Sequence, residues 1–245
     1  MNNPLDGIFE SLGRTVLVTG TDTDVGKTYA TAALAVAGWF AGRRRIAVYK
    51  PQQTGIRGDD PGDVHDVARL VRAAGVPSEA LTTAEGQRLT EPMAPPPAAA
   101  IDGVELLSIS THVAKIVELQ ESHDLVLVEG SGGVLVELDG ERHTIADLAA
   151  AVQSGLPAEG DTDTTVRTVL VARPDLGTLN HTLLSLEALL HRGVRVAGVV
   201  LGSWPGDPDR LQVSNREYLA DLPTIHGQRI PLLGAVPQGW GHESR

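Results

Sequence analysis

Residues 15–28 read TVLVTGTDTDVGKT, a strand running directly into a phosphate-binding loop. Thr15 to Gly20 is a short β-branched, apolar run, as expected for a strand buried on both faces. The loop after it closes on Gly26-Lys27-Thr28. In that arrangement backbone N–H groups at a helix start hold phosphate oxygens. The lysine ammonium reaches the β and γ phosphates, and the threonine hydroxyl serves Mg²⁺. The plain alternative is a tight turn that uses its glycines only for packing. The loop is also one residue longer than the usual pattern of Gly, four residues, then Gly-Lys-Ser/Thr. Five residues separate Gly20 from Gly26, and two of them, Asp22 and Asp24, are acidic. Like charges repel, so neither carboxylate is expected on the phosphates. The extra residue is expected to let the loop bulge, with Asp24 at the phosphates' edge, unless both acids merely shape the turn. Asp22 is expected to be a turn residue bonding local backbone.

Working outward, five further runs resemble the first: RIAVYK (45–50), DLVLVEG (124–130), TVLVAR (168–173), VAGVVLG (196–202) and IPLLGAVP (230–237). Helical patterns lie between them, at 26–41, 63–74, 108–121, 144–153, 178–191 and 214–221. This alternation predicts one doubly wound α/β domain with a mostly parallel sheet and helices on both faces. Right-handed crossovers bring the strands' C-terminal ends to one edge, where open α/β sheets bind ligands. Residues 20–28, 50–54, 129–133, 173–180, 202–204 and 237 onward are therefore expected to converge. Residues 89–103, LTEPMAPPPAAAIDG, are Pro-rich and read as a long ordered loop. Residues 153–165, QSGLPAEGDTDTT, read as an exposed mobile connection.

Bulk properties narrow the function classes. At 245 residues and 42% hydrophobic, the chain can bury a sizeable core. It has no cysteine, hence no disulfide framework, thiolate zinc site or thiol nucleophile. A net charge of −11 argues against general nucleic-acid binding. No signal peptide or membrane span is evident, so the cytoplasm is the expected location. Of 20 basic residues only Lys27, Lys50 and Lys115 are lysines. The first two sit at or just past apolar strand ends and are site candidates; Lys115 lies in an amphipathic segment and reads as a surface charge.

Two other stretches add chemistry. In YKPQQTG (49–55), Lys50 would enter the same cleft as Lys27, unless its stem merely covers the sheet edge. The acidic run RGDDPGDVHD carries Asp59, Asp60, Asp63 and Asp66, and Asp63 could also be a simple helix cap. VEGSGG (128–133) places Glu129 at a strand end, followed by glycines that allow close backbone approach. A carboxylate there commonly serves the metal beside a P-loop. Thr28, one Asp of the acidic run and Glu129 would suffice for Mg²⁺, which prefers a few hard oxygen ligands. No histidine pair shows a metal-ligand spacing.

Together VTGTDTDVGKT, KPQQTG, VEGSGG, LGTLNHTLLSLEAL and LLGAVP make the chain resemble the dethiobiotin synthetases, a P-loop NTPase family, in order and at compatible spacing. The resemblance covers about residues 14–240, leaving 1–13 as an N-terminal extension. It accounts for the long loop, since the family's own reads GTDTxVGKT. It implies ATP- and Mg²⁺-dependent carboxylation of 7,8-diaminononanoate with CO₂ and closure to a cyclic urea. Lys50 is then the catalytic lysine, with Lys27, and Thr28, Asp63 and Glu129 hold Mg²⁺. Asp24, Val25, Gly26, Lys27, Thr28, Glu129, Gly130, Ser131 and Gly132 contact the nucleotide phosphates and metal. Asn180, Gly202, Ser203, Pro237, Gln238 and Gly239 complete the nucleotide site. Thr23 and Thr54 meet the diamine, and Gly177, Thr178 and Leu179 receive the substrate carboxylate from a neighbouring subunit, implying a homodimer. One departure is that Gly202-Ser203-Trp204 stands where many members carry an adenine-reading Asn. Base choice is accordingly expected to be loose.

Three rival readings belong to other classes. A partitioning or assembly ATPase usually carries a second lysine early in the P-loop, and none precedes Lys27. An amidoligase would normally bring a glutaminase cysteine. A non-catalytic nucleotide-binding module gives Lys50 no purpose.

Overall fold

The computed structural model describes residues 4, 5, 7, 8, 12–155 and 166–241. Seven strands form one sheet in the order β3-β2-β4-β1-β5-β6-β7: β1 Thr15–Gly20, β2 Ile46–Gln53, β3 Leu81–Arg88, β4 Leu125–Gly133, β5 Val166–Ala172, β6 Val196–Trp204 and β7 Leu232–Pro237. Every pairing is parallel. The helices are α1 Lys27–Phe40, α2 Asp63–Ala73, α3 Pro95–Asp102, α4 Ile109–Ser122, α5 Ile145–Ser154, α6 Thr178–His191 and α7 Arg210–Ala220.

Side chains alternate across the strands, and the core divides accordingly. Val16, Val18, Ile46, Val48, Leu125 and Leu127 face one layer, packed with α1 and with Val64, Val67, Leu70 and Val71 of α2. Leu17, Ala47, Tyr49, Val126 and Val128 face the other, against Ile116 of α4, Ile145 of α5, Leu186 of α6 and Leu219 of α7. Helix α1 is buried from Ala30 through Gly38, because its alanines let it lie close along the sheet. Leu5 and Leu12, ahead of the family-like segment, are buried in the same layer as α1.

Three expectations need correction. Residues 89–103 are not a continuous loop, since Pro95–Asp102 form α3. Its prolines occupy the first turn, where a missing N–H costs nothing and φ is already helical; Gly103, at φ 66, closes it. The edge strand β3 (LTTAEGQR) was not foreseen. It pairs only with β2 and is half-buried or exposed, so it lacks the apolar signature of the inner strands. Helix α7 also begins earlier than the 214–221 pattern, because Asp209 Oδ1 caps the Gln212 N–H at 2.8 Å and Gln212 Oε1 accepts the Asp209 N–H at 2.9 Å. Most of the expected 153–165 connection lies outside the described residues.

Candidate active site

Adjacent strands β2, β4 and β1 end side by side, and each delivers one part of the site. After β1 the chain turns through residues 21–26 into α1. Gly26 sits at the helix start with φ 91, and a Cβ there would lie 2.3 Å from the Gly202 carbonyl oxygen. Gly202 is equally constrained, since its Cβ would meet the Val25 carbonyl oxygen at 2.1 Å. The end of β6 is thus pressed against the phosphate loop backbone to backbone, which only two glycines allow.

Within the loop, Asp22 bonds its neighbours. Its Oδ1 accepts the Thr23 N–H at 2.8 Å, its Oδ2 pairs with Arg173 Nη2 at 2.7 Å, and its carbonyl accepts Lys27 Nζ at 2.9 Å. Asp24 takes the left-handed conformation, φ 58, and lines the cavity. The extra residue is accommodated by the Asp22 side chain, which holds the next backbone N–H, and by a left-handed Asp24.

Strand β2 carries Lys50 and β4 carries Glu129, both buried. Lys50 Nζ lies 3.0 Å from Glu129 Oε1, 2.6 Å from Asp63 Oδ2 and 3.2 Å from the Gly130 carbonyl oxygen. Glu129 Oε1 also accepts the Thr28 hydroxyl at 3.1 Å. Burial depresses the Lys50 ammonium, but Glu129 and Asp63 outweigh it and the net shift is upward, so the cation persists. Lys27 is displaced downward, first by burial and then by Lys50. Two lysines share one cleft, one secured by carboxylates and one held at the loop.

The oxygen donors suit a hard cation. Glu129 Oε2 is buried without a partner, and the Thr28 hydroxyl and Asp63 carboxylate lie against the same cluster. Among the described residues no three His, Cys, Asp or Glu gather into a cage. Mg²⁺ needs none, because it keeps waters and takes phosphate oxygens as ligands.

These groups line a cavity of about 650 Å³. A family model described as an AAA domain matches residues 14–240. An ATP-dependent dethiobiotin synthetase (BioD) of Rhodococcus erythropolis is 45% identical over 93% of this chain and 90% of its own. The protein of the same name in Rhodococcus jostii is 43% identical over 92% and 87%. That of Streptomyces coelicolor is 42% identical over 92% and 84%.

The chain belongs to the ATP-dependent dethiobiotin synthetases.

Against that family's expected site, the residues divide by strand. Thr23, Asp24, Gly26, Lys27, Thr28, Lys50, Thr54, Asp63, Glu129, Ser131 and Gly132 line the one cavity. Val25 is buried behind the loop, and Gly130 offers its carbonyl to Lys50. Gly177, Thr178, Leu179, Asn180, Gly202, Ser203, Pro237, Gln238 and Gly239 do not line it. Thr178 is fully buried and Asn180 exposed at the start of α6, while Pro237, the last residue of β7, and the following Gln238 and Gly239 are exposed. The dethiobiotin synthetase cavity has a further wall not foreseen, built from Pro92, Met93, Ala94 and Pro95 ahead of and opening α3, with Tyr29, Gln53 and Arg69. Gln53 carried a signal, as the last residue of β2 three places after Lys50; the others lie where no motif marks them.

Proposed function

We propose that this chain converts 7,8-diaminononanoate and CO₂ into dethiobiotin, with ATP going to ADP and phosphate. The observation that carries the reading is Lys50, buried in the P-loop cavity and retained as a cation by Glu129 and Asp63. An amine of the substrate adds CO₂ and loses a proton to give a carbamate. A carbamate oxygen then attacks the γ-phosphorus and the bond to ADP breaks. The second amine attacks the carbonyl carbon and gives up a proton, and phosphate leaves as the cyclic urea closes. Each step before closure gathers negative charge on oxygen, and Lys50 and Lys27 stand where that charge develops. No side-chain nucleophile is required, in keeping with a chain that has no cysteine.

Thr28, Asp63 and Glu129 would hold Mg²⁺, which supplies charge neutralisation at the β and γ phosphates. Thr23 and Thr54 would meet the diamine. Gly177 to Leu179 would receive the substrate carboxylate across a homodimer, and Asn180, Gly202, Ser203 and Pro237 to Gly239 would border the base. The catalytic domain is taken as residues 14–240 with 1–13 as an extension, and the protein as cytoplasmic; among the described residues no helix is long and apolar enough to cross a membrane. The test is incubation with diaminononanoate, bicarbonate, Mg²⁺ and ATP. Mass spectrometry should find the cyclic urea; ATP loss without that product would support a partitioning or assembly ATPase instead.

A further inference from the structure

We infer that Gln53 is a positioning residue for the metal, acting through Asp63. In KPQQTG the two glutamines face opposite layers. Gln52 turns inward, where its Nε2 donates to the Leu138 carbonyl at 2.9 Å, whereas Gln53 lines the cavity while itself buried. Gln53 Oε1 accepts the Asp63 N–H at 2.9 Å, and its Nε2 donates to the Thr54 carbonyl at 3.2 Å. The first N–H groups of a helix have no partner within it. The N-cap of α2 is Gly62, which has no side chain to offer, so the Gln53 amide supplies the missing acceptor. A Cβ on Gly62 would lie 2.8 Å from Gln53 Oε1 and 2.6 Å from Glu85 Oε1, so glycine is what permits the approach. One strand therefore delivers both Lys50 and, three residues on, the amide that sets the first residue of α2. That residue is Asp63, whose Oδ2 sits 2.6 Å from Lys50 Nζ. Without the amide, the first N–H of α2 loses its acceptor, and Asp63 is tied to β2 through its carboxylate's contact with Lys50 instead of at both backbone and side chain.

The inference rests on Asp63 serving Mg²⁺, and the experiment separates the two. Mg²⁺ binding is measured by calorimetry on ADP-saturated enzyme for the parent, Gln53→Met, Gln53→Glu, Asp63→Asn and the Gln53→Met/Asp63→Asn double variant. ADP binding is measured separately in EDTA. Gln53→Met should weaken Mg²⁺ roughly tenfold, the usual size for a residue that orients a metal ligand, with metal-free ADP binding unchanged. Gln53→Glu keeps an acceptor of the same reach and should retain more affinity than Gln53→Met. In the double variant, Gln53→Met should add no loss to that of Asp63→Asn. A further loss there, or parent-like Mg²⁺ binding by Gln53→Met beside a weakened Asp63→Asn, overturns the positioning role alone. Unchanged Mg²⁺ binding by Asp63→Asn overturns the metal assignment of Asp63, and the inference falls with it.

Discussion

The two halves of the sheet do different work at the same edge. On the β2-β4-β1 side, strand ends deliver two buried charges, Lys50 and Glu129, bonded to each other and to half-buried Asp63 of α2 and Thr28 of α1. On the β5-β6-β7 side the strand ends brace the phosphate loop from outside, Arg173 after β5 through its exposed pair with Asp22 and Gly202 of β6 by pressing on Gly26. A charge must be placed to within a hydrogen-bond length, so it is set in a rigid, buried strand. A surface that only supports a loop needs the right clearance and can use glycine.

Removing the central cation should have the largest effect. Lys50→Ala should lower kcat by at least about 10²–10³, the scale of losing a preorganised charge stabiliser, while calorimetric nucleotide affinity stays near the parent's. Lys27→Ala should lose nucleotide affinity as well, because it would remove the charge-assisted phosphate contact proposed for that lysine. Near-normal turnover by Lys50→Ala would erase the distinction drawn between the two sides.

The second effect concerns what lies beneath Lys50. Tyr49 donates to or accepts from His112 Nδ1 at 2.7 Å in the fully buried layer. Burial, against a smaller pull from Asp139, takes the His112 pKa from 6.5 down to about 4. Between those values the unfolded chain binds a proton that the folded chain refuses. This contribution to stability is complete above about pH 6.5 and is lost as pH falls toward 4, by up to about 3 kcal/mol. Urea unfolding from pH 7 to 4.5 should show that slope in the parent and a shallower one in His112→Gln.

Gly202→Ala probes the seam between the halves. A methyl group 2.1 Å from the Val25 carbonyl oxygen must push the loop or the β6 end aside. A destabilisation of about 1–3 kcal/mol is expected, as for other overpacked sites, together with a raised KM for ATP although Gly202 lines no part of the cavity. A parent-like melting temperature and KM would show that the β6 side does not support the loop.

Asp24→Asn should have the smallest effect. The KM for the diamine should rise by no more than about fivefold, the size of an exposed charge pair, with the KM for ATP little changed. If only the ATP value moves, the loop's second acid belongs to the nucleotide side.

Residue patterns made the centre legible and the margins obscure. Strands β1, β2 and β4 begin apolar on both faces because helices cover both, and that leaves a short apolar run at the head of each in the sequence. Strand β3 has one neighbour and open faces, so Glu85, Gly86 and Gln87 are tolerated and no periodic signal survives. Helix α3 hid behind three prolines that look like a helix breaker unless the turn they open is known.

Local chemistry in the chain determined the phosphate loop, the parallel α/β order and the two candidate lysines, because each follows from residues adjacent in sequence or from a short repeating pattern. Only the tertiary structure decided which acid of RGDDPGD meets Lys50, that the Gln53 amide anchors Asp63, and that Gly26 and Gly202 touch. Those contacts join residues 10 to 176 positions apart, and their existence depends on strand order and on the clearance left by a missing Cβ, which no single stretch of sequence records.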